Sequence, residues 1–225
     1  MRQGMQLALA TAALTAPVAA HAESDTQAWL VLAGDAKVDN ETAITADLVL
    51  RSRSNSVDIA QSIARIGVRQ NLGDGWSVQL TYGLVDSFIE GGSDRLEHRI
   101  GQTVAFPITS LGQVRIDGRA GLEERLAPAN SGGELGWRAR ARLRASYPLD
   151  DKTSLQVSEE LIGSLNDTVW GQRSGLTAGR TSFGVRFKVA DNIGISPAYN
   201  WQHVYVPGAR ISDSHIANLT IDAHF

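Results

Sequence analysis

Cysteine is absent from the 225 residues of this chain, and its two methionines, Met1 and Met5, both lie in the first five residues. Without thiols the chain forms neither a disulfide framework nor a thiolate metal site. Stability must therefore come from side-chain packing and from backbone hydrogen bonds.

An excess of positive charge is also missing. The chain carries 21 Lys and Arg against 24 Asp and Glu, for a formal net charge of −3. A general nucleic-acid binder needs a basic surface to neutralise phosphates. We therefore expect no nucleic-acid partner.

The apolar stretch of residues 7–18 is too short and too rich in Ala and Thr for a spanning helix, which needs about 20 apolar residues. Arg2 precedes it and Ala20-His21-Ala22 follows it, which is the layout of a secretory signal. We expect residues 1–22 to be a cleaved signal peptide and residues 23–225 to be one exported domain.

Helical periodicity is nearly absent from residues 23–225, and alternation with a period of two replaces it. From Trp76 to Leu84 every second residue is apolar, and Ser77, Gln79, Thr81 and Gly83 lie between them. Segments of about ten such residues, separated by turns, are typical of membrane barrels. The pattern predicts an all-β fold: a transmembrane, antiparallel, up-and-down β-barrel of 10 to 12 strands.

Eleven segments qualify as strands, and short turns alternate with longer polar loops between them. In outer-membrane barrels the short turns face the periplasm, which would place Phe225 there. Bacterial barrels have even strand numbers, so two arrangements stay open. Either the segment from Trp29 to Gly34 lies inside or beside a ten-stranded barrel, or a twelfth strand completes the wall.

Four arginines, Arg138, Arg140, Arg142 and Arg144, occupy alternate positions of one segment. An Arg facing the bilayer midplane costs about 2–4 kcal/mol, so these four must point inward. The interior therefore requires acidic partners on neighbouring strands. We expect a lumen charge network made of Glu97, Arg99, Asp117, Arg119, Glu123, Arg125, Arg138, Arg140, Arg142, Arg144, Glu160, Arg180 and Arg186.

The last segment alternates Leu219, Ile221, Ala223 and the terminal aromatic Phe225. This pattern resembles the signal that the barrel-assembly machinery recognises on outer-membrane proteins. A closing strand that merely ends in Phe would have the same pattern, and we favour the assembly signal. The expected partners are thus outer-membrane lipids and the assembly machinery.

Catalytic and metal-binding patterns are weak. His98, His203 and His215 fall on the outward parity, and Ser214 and His215 are adjacent, so they point to opposite faces of a strand. No two histidines and no carboxylate cluster share a face at ligand spacing. We expect no catalytic residues, no metal and no cofactor.

The order of several short motifs resembles the DUF2490 family of uncharacterised outer-membrane barrels. The motifs are Glu97-His98-Arg99, Glu123-Glu124-Arg125, the run of residues 136–150, Glu159-Glu160 with Asn166, Gln172-Arg173, and Tyr199 to Gln202. The resemblance implies a barrel with a charged interior in the outer membrane of a Gram-negative bacterium. It implies no reaction and no catalytic residues.

The expected function is that of an integral, porin-like barrel with a structural role or with limited passage of a small solute. Long charged side chains leave little open cross-section in a barrel of this size, which disfavours a wide, non-selective pore. The alternative is an outer-membrane enzyme that hydrolyses acyl chains of phospholipid or lipid A. A soluble ligand-binding barrel is disfavoured, because it would need an apolar interior.

Overall fold

The computed structural model describes residues 24–127, 133–205 and 212–225, so the expected signal peptide lies outside the described residues. The described residues form eleven β-strands: β1 Ser24–Lys37, β2 Thr42–Ser52, β3 Ile59–Gly73, β4 Trp76–Ser87, β5 Arg95–Leu111, β6 Val114–Leu126, β7 Leu135–Pro148, β8 Thr153–Ser164, β9 Gly175–Ala190, β10 Ile193–Val204 and β11 Ser212–His224. Within these ranges no helix is long and apolar enough to cross a membrane.

The eleven strands form one closed barrel in chain order. Consecutive strands pair antiparallel, and β1 pairs in parallel with β11, from Ser24 opposite Asp213 to Asp35 opposite His224. The predicted barrel is therefore confirmed, and all eleven candidate segments lie in its wall.

The expectation of an even strand number is wrong for the described residues, which contain neither a ten-stranded nor a twelve-stranded wall. In an up-and-down barrel with an odd number of strands, the first and last strands run in the same direction. A parallel ladder still satisfies their backbone hydrogen bonds. The Trp29 segment is part of β1 and completes the wall instead of lying inside or beside it.

The alternation of the sequence is converted into an apolar exterior and a polar interior. Leu80 and Ile66 are each 57% exposed on the outer surface, whereas Glu97 is 2% exposed and Arg99 is 9% exposed. A small apolar cluster of Val49, Ile63 and Val85, with Val31 packed against it, also lies in the interior. This distribution is the inverse of that in a water-soluble barrel.

The two ends of the barrel differ in their connections. Short turns join β1 to β2, β3 to β4, β5 to β6, β7 to β8 and β9 to β10, and longer loops join the strands at the opposite end. Asp74 and Gly75 both have positive φ, as a two-residue hairpin turn requires. Phe225 lies at the short-turn end, where its N–H donates to the Asp35 carbonyl over 2.9 Å.

Candidate functional site in the barrel lumen

A cavity of about 550 Å³ lies inside the barrel and is lined by inward-facing side chains from around the wall. Its charged lining consists of Arg51, Arg65, Arg69, Arg99, Arg119, Arg140, Arg142, Arg180, Asp35, Asp47, Glu123, Glu160, Asp222 and His224. The structure places every member of the predicted lumen charge network on an inward register position. The lumen is thus the principal polar site of the described residues.

Glu97 is the most enclosed acidic residue at the end with the longer loops. Its Oε1 accepts hydrogen bonds from Arg99 Nε over 2.6 Å and from Arg125 Nε over 2.7 Å. Arg99 and Arg125 are direct cross-strand partners on β5 and β6. One carboxylate therefore offsets the repulsion between two opposed guanidinium groups.

Glu123 and Glu160 form ion pairs with Arg138 and Arg140, the two arginines of the β7 series that lie nearer the longer loops. Glu123 forms a short ion pair with Arg138 and lies 3.9 Å from Arg140. Glu160 lies 3.5 Å from Arg140 and 3.1 Å from Arg180. Although Glu160 is the backbone partner of Arg142, its carboxylate turns toward the other two arginines.

A second cluster of charged side chains lies at the end of the lumen near the short turns. It crosses the seam between β1 and β11. Asp35 accepts a hydrogen bond from Arg69 over 2.8 Å and lies 2.5 Å from His224 Nδ1. Asp222 pairs with Arg186 and lies 3.0 Å from His224 Nε2. Asp35, Asp222 and His224 are absent from the predicted network, because only closure of the barrel brings the two chain ends together. Arg69 on β3 is absent from it as well.

Trp29 is a further lumen residue that sequence analysis left out of the network. It is 6% exposed, and the guanidinium carbons of Arg51 and Arg180 lie 4.1 and 4.7 Å from its ring centroid. Cation–π attraction of this kind stabilises a guanidinium group without a carboxylate. The alternation along β1 was a signal for this placement, since Trp29 and Asp35 lie on the same, inward face of the strand.

The loop between β8 and β9, residues 165–174, folds back over the mouth of the barrel. Gln172 is 5% exposed and accepts a hydrogen bond from Arg125 Nη1 over 3.0 Å, and the Trp170 ring lies 4.9 Å from the same guanidinium group. At the base of this loop the Ser174 N–H donates to Asp167, which lowers the pKa of that carboxyl group. The contacts of Gln172 and Trp170 with Arg125 anchor the loop to the lumen network.

The outward face contains the remaining predicted residues. Leu219, Ile221 and Ala223 lie on the outer face of β11, and Phe225 is 74% exposed. The Nδ1 atoms of His98, His203 and His215 each lie 2.6 Å from an oxygen, which belongs to Tyr82, Asp213 and Tyr199 respectively. Among the described residues no group of three His, Asp or Glu side chains is arranged to hold a metal ion.

Comparison with known proteins yields one matching family and several similar solved structures. A family model described as "Protein of unknown function (DUF2490)" matches residues 26–212. The translocator domain of autotransporter NalP from Neisseria meningitidis is 15% identical, with a TM-score of 0.44 over 74% of this chain and 70% of that one. A NanC porin structure is 12% identical, with a TM-score of 0.46 over 75% and 78% of the two chains. No curated protein matches the chain.

Proposed function

The chain belongs to the DUF2490 family, and we propose that it is an integral barrel of the bacterial outer membrane that allows restricted passage of small solutes through a narrow cationic lumen. The prediction of the family from its short motifs is confirmed. The family carries no assigned activity, so the proposal rests on the charge and shape of the barrel itself.

Support for a membrane location comes from the distribution of side chains on the wall. The outward positions of β4, β8 and β9 present Leu80, Leu161 and Phe183, which are 48–57% exposed. Near the short turns Trp76 stacks on Phe106 with ring centroids 5.2 Å apart. Aromatic residues at that level are typical of the interface between lipid and water.

The observation that carries the passage role is the charge imbalance of the cavity lining, where eight arginines face five Asp and Glu carboxylates. Eight minus five leaves an excess of three positive charges, and a charged cleft raises the local concentration of counter-ions. The long charged side chains that project from the wall into the lumen reduce its open cross-section. We therefore expect slow passage that favours anions over cations.

The test is a planar-bilayer recording of conductance and reversal potential across a KCl gradient. We expect small, anion-selective conductance for the natural protein. Replacing Arg140 and Arg142 together with Ala should move the reversal potential toward that of potassium, because two lumen cations are lost. Arg173→Ala is the matched control, since Arg173 lies in a loop and its side chain is 62% exposed.

Silence from both the natural protein and the double variant would contradict the passage role and leave a structural one. Lipid hydrolysis is the alternative function, and no observation favours it. The three outward histidines bond to tyrosine or aspartate, and in the described parts of the chain none has a serine or threonine hydroxyl as its partner. We therefore propose a non-catalytic barrel.

A further inference from the structure

Arg119 on β6 and Arg142 on β7 are direct cross-strand partners in the lumen wall. Like charges placed directly opposite each other destabilise a sheet. The neighbouring inward cations on β7 have carboxylates, as Arg138 pairs with Glu123 and Arg144 with Asp117. Neither Arg119 nor Arg142 has a carboxylate within 4.0 Å among the described residues. The wall thus retains one opposed pair of cations that its own acids do not neutralise.

The hydrogen-bonding capacity of this pair is only partly used. Arg142 Nε is buried, and the described residues offer it no hydrogen-bond acceptor. Arg140 Nε, two residues along the same face, is in the same condition. Arg119 has one long contact, 3.5 Å from Nη2 to Thr103 Oγ1. Buried donors without acceptors cost free energy, so these groups favour an acceptor that enters the lumen.

Open space adjoins the two guanidinium groups. Both arginines line the 550 Å³ cavity, and so do Gly101 and Gly121, which have no side chains to fill it. Hydroxyl groups of Thr103 and Ser158 line the same cavity and supply further donors. A group of a few heavy atoms therefore fits beside the arginine pair.

We propose that Arg119 and Arg142 form a binding site for a small oxyanion, a phosphate or carboxylate group, within the lumen. Guanidinium groups donate two parallel hydrogen bonds to the oxygens of such anions, which chloride cannot match. A bound oxyanion supplies the missing acceptors and offsets the repulsion between the two arginines. This proposal rests on the proposed passage function, for which it names the class of solute.

Calorimetric titration of the folded barrel in detergent micelles tests the site without requiring conductance. The titrants are sodium phosphate and sodium acetate, each compared with sodium chloride at equal ionic strength. We expect saturable phosphate or acetate binding, with the stronger of the two identifying the preferred group, and no saturable chloride binding. Arg119→Gln and Arg142→Gln should each weaken the binding at least tenfold.

Arg69→Gln is the matched control, because it removes one lumen cation that has a carboxylate partner, Asp35. It should retain binding within about twofold. An equal loss in Arg69→Gln would show diffuse attraction instead of a site and would overturn the proposal. So would phosphate and acetate that bind no better than chloride, or unchanged binding in both variants.

Thermal unfolding in chloride provides a second readout that shows whether the variants fold. Arg142→Gln should raise the unfolding midpoint in chloride, because it removes the repulsion with Arg119, and should abolish the extra stabilisation by the oxyanion. A lowered midpoint would contradict the inferred repulsion. A barrel that binds phosphate but conducts no ions would contradict only the passage function, so the two failures are distinguishable.

Discussion

At the scale of single residues, Glu97 is the acid that neutralises the arginines at the end of the lumen near the longer loops. It is 2% exposed and holds Arg99 and Arg125, whose side chains are 10% and 12% exposed. Glu97→Gln keeps the volume but removes the carboxylate of Arg125 and the nearer of the two carboxylates that face Arg99, whose other partner is Glu123 at 3.6 Å. Loss of one partner of a buried pair costs about 3 kcal/mol or more. We expect that decrease in the free energy of unfolding, measured by urea titration of tryptophan fluorescence in micelles.

Glu90→Gln is the control for that substitution. Glu90 pairs with Arg53 across 3.6 Å, and its side chain is 80% exposed, so the change should stay below about 0.5 kcal/mol, as expected of surface pairs. If Glu97→Gln cost no more than Glu90→Gln, water in the lumen would be screening the Glu97 cluster.

At the scale of elements, β1 decides how the barrel closes. Ala28 on β1 lies opposite Ala217 on β11, and both are exposed on the outer face. Because the chain has no cysteine, Ala28→Cys with Ala217→Cys gives a clean background for a short bifunctional thiol reagent. We expect a cross-linked species that migrates differently in a denaturing gel.

The pair Ala28→Cys with Ala198→Cys is the control for the seam. Ala198 faces the lumen on β10, opposite Asn218 of β11, so the same reagent should not join it to Ala28. If the control cross-linked as well as the test pair, or the test pair did not react, the parallel arrangement of β1 and β11 would be wrong.

At the scale of the whole molecule, the closed wall and the terminal Phe225 predict the behaviour of the assembled protein. Unheated protein from outer membranes should migrate faster in a detergent gel than boiled protein, because a closed barrel resists detergent. Phe225→Ala keeps the backbone hydrogen bonds to Asp35 and Lys37 but removes the proposed assembly signal. We expect it to lower the folded fraction in cells and to leave refolding in micelles unchanged.

Normal folding of Phe225→Ala in cells would show that the terminal aromatic is only the end of a closing strand. A defect both in cells and in micelles would indicate a contribution to barrel stability instead. Either result would remove the assembly role that the sequence pattern suggested.

Local alternation made much of this protein predictable. A strand directs successive side chains to opposite faces, so the spacing of Arg138 to Arg144 and of Trp76 to Leu84 was enough to separate the inward from the outward face. The same rule located all eleven strands. The high cost of arginine in lipid then assigned the charged face to the lumen.

Closure and partner choice depended on the tertiary structure. The parallel seam between β1 and β11 joins Asp35 to His224, which are 189 residues apart in the chain, and no local pattern encodes that contact. Side-chain geometry inside the barrel decides three further features: the turn of Glu160 away from Arg142, the placement of two arginines over the Trp29 ring, and the unneutralised Arg119–Arg142 pair. Sequence parity therefore determined which residues face inward, while side-chain geometry between nearby strands of the closed barrel decided which of them neutralise one another.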